Sequence, residues 1–410
     1  MPIRSLNRDL LAGLTVALVA LPLAIGFGVA SGAGAAAGIA TAIVAGLVAA
    51  IFGGSRFQVS GPTGAMTVVL IPLAAAHGIS AVLLVGFASG LLLILAAALR
   101  LGNHIHRLPT ALIEGFTAGI AVVIALQQVP IGLGLHAVKG ESILVGAVSA
   151  VGAWASAPNW APMVTTVLVA AGLIWAGHRW HKLPLSLLAV VLVTAANSIR
   201  HLGLQTVGAL PAFGAVSIGW FGALVHWQDL LLPAVSVTLL GALESLLSAK
   251  IADRMRPDVD PHDSNRELFG QGLANLAAPF FGGIPATAAL ARTAVNVRAG
   301  AMTRWAAAFH AVILAVFVLA LSPLVQQIPL PALAGVLIAT ASHMVKPSEL
   351  QHTFAQSRLD GLVLVATLVV TVFYNLTAAV AVGLVLFLGL RGTRLSKANS
   401  PIDDEETLGD

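Results

Sequence analysis

Between Leu10 and Leu390 one long apolar run follows another with only short polar loops between them, and that pattern dictates the solvent in which the chain folds. Crossing about 30 Å of hydrocarbon takes about 20 helical residues. The segments lie near 10–30, 34–52, 62–76, 80–99, 109–132, 162–177, 184–200, 230–250, 268–281, 286–299, 305–322, 329–345, 359–374 and 376–391, fourteen in all. Within lipid each backbone N–H and C=O must be satisfied internally, which favours helices. Only 9% of the 410 residues are charged and the mean hydropathy is +0.94, values that no water-soluble domain of this size sustains. The expected fold is therefore an all-α polytopic membrane protein.

The first run follows Arg4 and Arg8 and is too long for the core of a signal peptide, so it reads as a retained helix. The absence of cysteine excludes disulfides. Basic residues are scattered singly through the loops, a distribution that does not suit nucleic acid. Their sidedness sets the topology. With a cytoplasmic amino terminus, the loop residues Arg4, Arg8, Arg56, Arg100, Arg107, Arg179, Lys182, Lys250, Arg254, Arg256, Arg266, Arg298, Arg304, Lys346, Arg358, Arg391, Arg394 and Lys397 share one side. Only Lys139 and Arg200 fall on the other. That asymmetry follows the positive-inside rule and puts both termini in the cytoplasm.

Two short stretches repeat. "AAIFGG" at 49–54 leads into "VSGPTGA", and "AAPFFGG" at 277–283 leads into "IPATAALARTAVNV". In the charge-derived topology they enter the membrane from opposite sides, as inverted repeats of secondary transporters do. Pro62 and Pro285 suit a first helical turn, where the missing N–H is not required. The third and tenth segments are accordingly expected to be half-helices that begin inside the membrane. Their free N–H groups and positive dipole ends form an anion site without a lysine.

Two ionisable side chains lie deep in apolar runs. Glu244 sits six residues before Lys250, about 9 Å along a helix, too deep for its short side chain to reach the surface. Ser248 lies one turn further on the same face, so the two are candidates to share a cotransported proton or sodium ion. Arg292 sits six residues before Arg298; its long stem either snorkels to the interface or turns inward and adds positive potential at the half-helix ends, with Glu244 as a partner. His77, His310 and His343 are single, without metal-ligand spacing, and take structural or interfacial roles. Glu114 is expected at the interface or hydrogen-bonded within the bundle. "SNRE" at 264–267 fits a capping box of Ser264 with Glu267. Tryptophans 154, 160, 175, 180, 220, 227 and 305 fall near helix ends as an interfacial belt. There is no metal-binding pair, no nucleophile with a nearby base and no nucleotide motif, which argues against an enzyme and against a tightly bound cofactor.

The stretches "ALPLAIGFGVASGAGAAAGIATAIVAGLVAAIFGGSRFQVSGPTGAMTVV" and "SNRELFGQGLANLAAPFFGGIPATAALARTAVNVRAGAMTR", with "ALESLLSAKIADRM" before the second, strongly resemble the sulfate permease family, SulP. The resemblance runs from residue 8 to about 392 and is to the family's membrane domain; the STAS-type cytoplasmic domain that usually follows lies outside it. It implies two inverted seven-span repeats in a multi-pass protein of the bacterial inner membrane, and a homodimer. A core domain would comprise 8–100 (spans 1–4) and 230–322 (spans 8–11), a gate domain 108–200 (spans 5–7) and 329–392 (spans 12–14), with a cytoplasmic tail over 393–410. It also implies a substrate site formed by Phe27, by Thr63, Gly64 and Ala65, and by Ala289, Leu290, Ala291 and Arg292, with Glu244 and Ser248 serving ion coupling.

The family's animal members carry glutamine where this chain has Leu23. The sodium-bicarbonate branch carries Asp and Thr at Glu244 and Ser248. The resulting expectation is a secondary active transporter of a small oxyanion or carboxylate, coupled to protons. The alternatives are sodium-coupled bicarbonate symport and a passive channel or exchanger.

Overall fold

A computed structural model describes residues 3–105, 110–135, 143–180, 183–210, 218–345, 347–374, 378–379, 381–383 and 385–387. Arg107, Lys139, Lys182, Lys346, Arg391, Arg394, Lys397, part of the fourteenth apolar segment and the 393–410 tail lie outside them. The first half of the chain runs α1 (Ile3–Ala30), α2 (Ala35–Phe52), the two-residue strand β1 (Ser60–Gly61), α3 (Gly64–Ala98), the short α4 (Gly102–Ile105), α5 (Thr110–Gly132), α6 (Ile143–Ser156), α7 (Trp160–Arg179) and α8 (Leu185–Arg200). The second half runs α9 (Trp227–Met255), α10 (Ser264–Ala277), β2 (Thr287–Ala288), α11 (Leu290–Arg298), α12 (Trp305–Gln326), α13 (Leu330–Met344), α14 (Pro347–Gln356) and α15 (Arg358–Phe373). Among the described residues, seven helices are long and apolar enough to cross a membrane. The fold is all-α and polytopic.

The third and fourth apolar segments are separate helices within α3, as the sequence divides them, parted at Gly78, where φ of +76° takes the chain out of the helix at a residue without a Cβ to oppose it. Other expectations change in detail. α6, "ILVGAVSAVGAWAS", was not among the fourteen segments. Its 14 residues reach about 21 Å, short of a full crossing. Trp220 faces protein: only 3% exposed, it stacks on Phe221 at 4.1 Å between ring centroids and meets Phe87 and Phe280 at 5.4 and 5.5 Å.

The described residues within 1–107 and 120–345 form one compact unit, and those within 108–119 and 346–410 a second. In the first, α1 packs on α12 and α2, α2 and α3 both pack on α10, α3 packs on α9, and α13 packs on α7. Small residues permit the close approaches: a Cβ built on Gly38 would fall 1.9 Å from the carbonyl oxygen of Ala24. Such small-residue contacts are how helices associate where lipid supplies no hydrophobic drive. The second unit has an apolar core of Ala111, Leu112, Val363 and Leu364. There the Thr353 hydroxyl donates to the Glu114 carboxylate, so Glu114 is held within the bundle.

The capping box is replaced. Asp263, not Ser264, caps α10, accepting from the N–H groups of Asn265 and Arg266 at 3.0 Å each. The Ser264 hydroxyl turns to the His262 ring at 3.2 Å instead. Asp263 wins because its carboxylate reaches both orphan N–H groups at the positive end of the helix. Glu267 is thereby released for another task.

Candidate functional site

β1 and β2 pair antiparallel, Ser60 opposite Ala288 and Gly61 opposite Thr287. Each strand opens directly into a helix, α3 after Pro62 and Thr63, α11 after Ala289. The sequence repeat found at 49–64 and 277–290 is therefore a pair of structural equivalents joined at their strands. α11 spans nine residues, about 14 Å, less than half of the hydrocarbon thickness. The amides of Gly64, Ala65 and Met66, and those of Leu290, Ala291 and Arg292, are first-turn groups that a helix leaves without an internal acceptor. The Ala289 amide is already committed to the Val59 carbonyl at 3.0 Å. Pro285, expected in a first turn, lies instead five residues before α11, in the lead-in to β2.

Around these helix starts the structure brings together side chains from four elements. Thr63 donates its hydroxyl to Glu244 Oε2 at 2.9 Å, tying the start of α3 to α9. Arg292 turns inward. It is 1% exposed, heads the largest fully buried side chains among the described residues, and donates Nη2 to the Pro62 carbonyl at 2.7 Å. Its Nη1 has no hydrogen-bond partner. The snorkelling alternative is thus excluded in this conformation; Glu244 takes its hydrogen bond from Thr63, while Arg292 acts on it through charge attraction. Gly61 makes room for the guanidinium, since a Cβ there would stand 2.5 Å from Nη1.

Ser248 does not join Glu244. Its buried hydroxyl donates to Thr293 Oγ1 at 3.1 Å, and the same oxygen accepts the Val59 amide at 3.1 Å; Ser248 therefore ties α9 to α11 and β1. Ser245, one turn before, meets Thr287 Oγ1 at 2.9 Å and pins α9 to β2. Phe27 seats against the first turn of α3: a Cβ on Gly64 would lie 3.1 Å from its ring and 2.1 Å from Ile124 Cδ1. Thr63, Gly64 and Ala65 are buried, Ala289 and Leu290 are half-buried, and Ala291 is exposed. Among the described residues no group of three or more His, Asp or Glu is placed to hold a metal ion.

The supporting polar residues Ser245, Gln271, Asn275, Thr287 and Thr293 were not singled out from sequence. The one available signal was the four-residue spacing of Glu267, Gln271 and Asn275 along one face of the helix.

Interrupted helices that meet through antiparallel strands inside a polytopic membrane fold are an architecture of membrane transport proteins. The sequence model of the sulfate permease family matches residues 6–367. The chain belongs to the sulfate permease family. It is 34% identical over 418 residues to the putative sulfate transporter YvdB of Bacillus subtilis, covering 99% of this chain and 77% of that one. It is 33% identical over 425 residues to the bicarbonate transporter BicA of a Synechocystis species, covering 99% and 74%. The transmembrane domain of a cyanobacterial BicA superposes with a TM-score of 0.84 at 32% identity, covering 93% of this chain and 98% of that domain. The structure of SLC26A9 matches with a TM-score of 0.83 at 18% identity, a likeness of fold alone.

Proposed function

We propose that the protein is a secondary active transporter that carries a small oxyanion or carboxylate across the bacterial inner membrane by alternating access, with both termini cytoplasmic and no catalytic step. The observation that carries this reading is the buried Arg292 guanidinium bridging the two half-helix starts through the Pro62 carbonyl. The two helix starts are joined through β1 and β2, Arg292 adds a fixed cation to the first turn of α11, and positive helix ends in a low-dielectric setting favour an anion. The sulfate and bicarbonate named for the relatives are the first substrates to test. Phe27, Thr63, Gly64, Ala65, Ala289, Leu290, Ala291 and Arg292 form the binding site, and Phe27 closes one side of it. Glu244, bonded to Thr63 at the same place, takes the cotransported proton, or alternatively sodium. Ser248 supports the site through Thr293 rather than sharing the ion. The moving core is 8–100 with 230–322, and the gate is 108–200 with 329–392, in a homodimer.

Uptake of radiolabelled sulfate, bicarbonate, nitrate, chloride and a dicarboxylate into proteoliposomes tests the assignment. At least one anion is expected to accumulate above its equilibrium level when the outside is made acidic. Accumulation driven by a sodium gradient alone would select sodium coupling. Uptake that only equilibrates would make the protein a channel or exchanger.

Gly61→Ala supplies a second check. The added methyl would meet Nη1 at 2.5 Å at a residue with φ of +156°, so the guanidinium beside Pro62 has to shift and the strand start is strained with it. The expected outcome is a rise of about tenfold in the anion concentration for half-maximal uptake, corresponding to about 1.4 kcal/mol. An unchanged value would show that the seat of Arg292 does not matter to the substrate.

A further inference from the structure

α10 carries Glu267, Gln271 and Asn275 at four-residue spacing, which places them on one face of the helix. All three side chains are at most 1% exposed. Polar groups buried away from water demand partners, and the partners here are specific. Glu267 Oε2 accepts the amides of Gly54 at 2.9 Å and Ser55 at 3.0 Å. Glu267 Oε1 accepts from Gln271 Nε2 at 2.9 Å, and the same Nε2 donates to Ser60 Oγ at 2.6 Å. Asn275 takes both edges of one residue's backbone, donating Nδ2 to the Ala286 carbonyl at 2.9 Å and accepting the Ala286 amide at 2.7 Å.

One helix face therefore grips the lead-in to α3 at residues 54, 55 and 60 and the lead-in to α11 at residue 286. Ser60 and Ala286 each stand four residues before the helix that follows, Gly64 and Leu290 respectively. The grips are thus equivalent in the two repeats although both come from one helix. Resting on the anion-site reading above, we propose that the Glu267–Gln271–Asn275 face is the positioning device that sets the separation and register of the two half-helix N-termini, and through them the affinity and size selectivity for the anion. None of the three touches the substrate. They act on the amides that do.

The chemistry is polar in direction, which makes it testable by exchange. Gln271→Glu removes the donor to both Glu267 and Ser60 and sets two carboxylates against each other. Combining it with Glu267→Gln restores every link with reversed polarity. The new amide oxygen accepts from Gly54 and Ser55, its NH2 donates to the new carboxylate, and that carboxylate accepts from the Ser60 hydroxyl. Asn275→Asp keeps the shape and the acceptor but loses the donor to Ala286.

The chain has no cysteine, so spin labels placed by Ala75→Cys on α3 and Arg298→Cys on α11, both exposed positions, report the half-helix geometry directly. Expected for Gln271→Glu and Asn275→Asp are a broadened inter-label distance, a rise of tenfold or more in half-saturating anion, and a flattened preference between small and large anions. The Glu267→Gln/Gln271→Glu exchange should bring all three back to within about threefold of wild type. Lower yield or melting temperature with unchanged distances, half-saturation and selectivity in the folded protein would overturn the proposal, as would failure of the exchange to rescue. If the wild type itself moves no anion, the transport reading falls, while the label distances still decide the positioning claim.

Discussion

Arg292→Gln should raise the anion concentration for half-maximal uptake by on the order of 10- to 100-fold while leaving folded protein in the membrane. The glutamine keeps an amide donor but ends two bonds short of Arg292 Nη2, which holds the Pro62 carbonyl at 2.7 Å, and it removes the fixed cation that Arg292 supplies at the joined half-helix starts. Hydrogen bonds to charged groups are worth about 1.5–3 kcal/mol, which sets that range. Arg292→Lys should fall between wild type and Arg292→Gln, because it keeps the charge but loses the planar fork. Arg292→Ala should weaken binding as much as Arg292→Gln or more and cost stability as well, since it leaves a buried carbonyl unpaired. Binding is read separately from transport by thiol labelling of Ala291→Cys, an exposed position on the first turn of α11. Substrate should slow labelling in the wild-type background and not in Arg292→Gln at the same concentration. Equal half-saturation and equal protection in the two backgrounds would reduce Arg292 to a structural tie.

Glu244→Gln should abolish accumulation driven by an inward proton gradient and spare exchange of anion across the membrane. The Thr63 hydroxyl donates to Glu244 Oε2 at 2.9 Å, and the glutamine amide oxygen can accept the same bond. The substitution therefore imitates the protonated acid with little disturbance at the start of α3. An ionised Glu244 and a bound anion repel each other, so a proton on Glu244 and an anion in the site favour each other's binding. By reciprocity each tightens the other by the same factor, and the loaded core crosses with less net charge. Removing the titratable group removes this link but not the amides. Uptake into proteoliposomes with an acidic exterior, wild type beside mutant, decides the matter. A mutant that concentrates anion as well as wild type places coupling elsewhere, and a wild type driven only by sodium transfers the role of Glu244 to that ion.

How far the primary structure reaches can be judged from particular residues. The half-helix starts of α3 and α11 were legible because glycine and proline at the mouth of an apolar run have few uses in lipid other than to begin a helix there. Glu244 was legible because a carboxylate so far from the nearest polar flank must be held by protein. Pro285 was misread as a first-turn residue, since the antiparallel strand pair that intervenes has no signature in two residues. α6 lies outside the fourteen segments although its 14 residues equal the length of 268–281 and 286–299, so length alone does not separate it from them. The choice of Asp263 over Ser264 as the cap of α10 was a competition between neighbours that local pattern could not settle.

By itself the amino-acid order determined the solvent, the all-helical polytopic class, the paired half-helices and the deep acid and base, because these follow from hydropathy, charge placement and backbone restrictions read along the chain. Only the tertiary structure decided that Arg292 turns inward to Pro62 across 230 residues of sequence, that Thr63 supplies the hydrogen bond to Glu244 across 181, that Ser248 serves Thr293, and that one face of α10 grips both lead-ins. The physical reason is common to all four. A buried polar side chain takes the partner that the folded neighbours place within about 3 Å, and which of many chemically equivalent donors and acceptors that will be depends on helix packing between segments far apart in the chain.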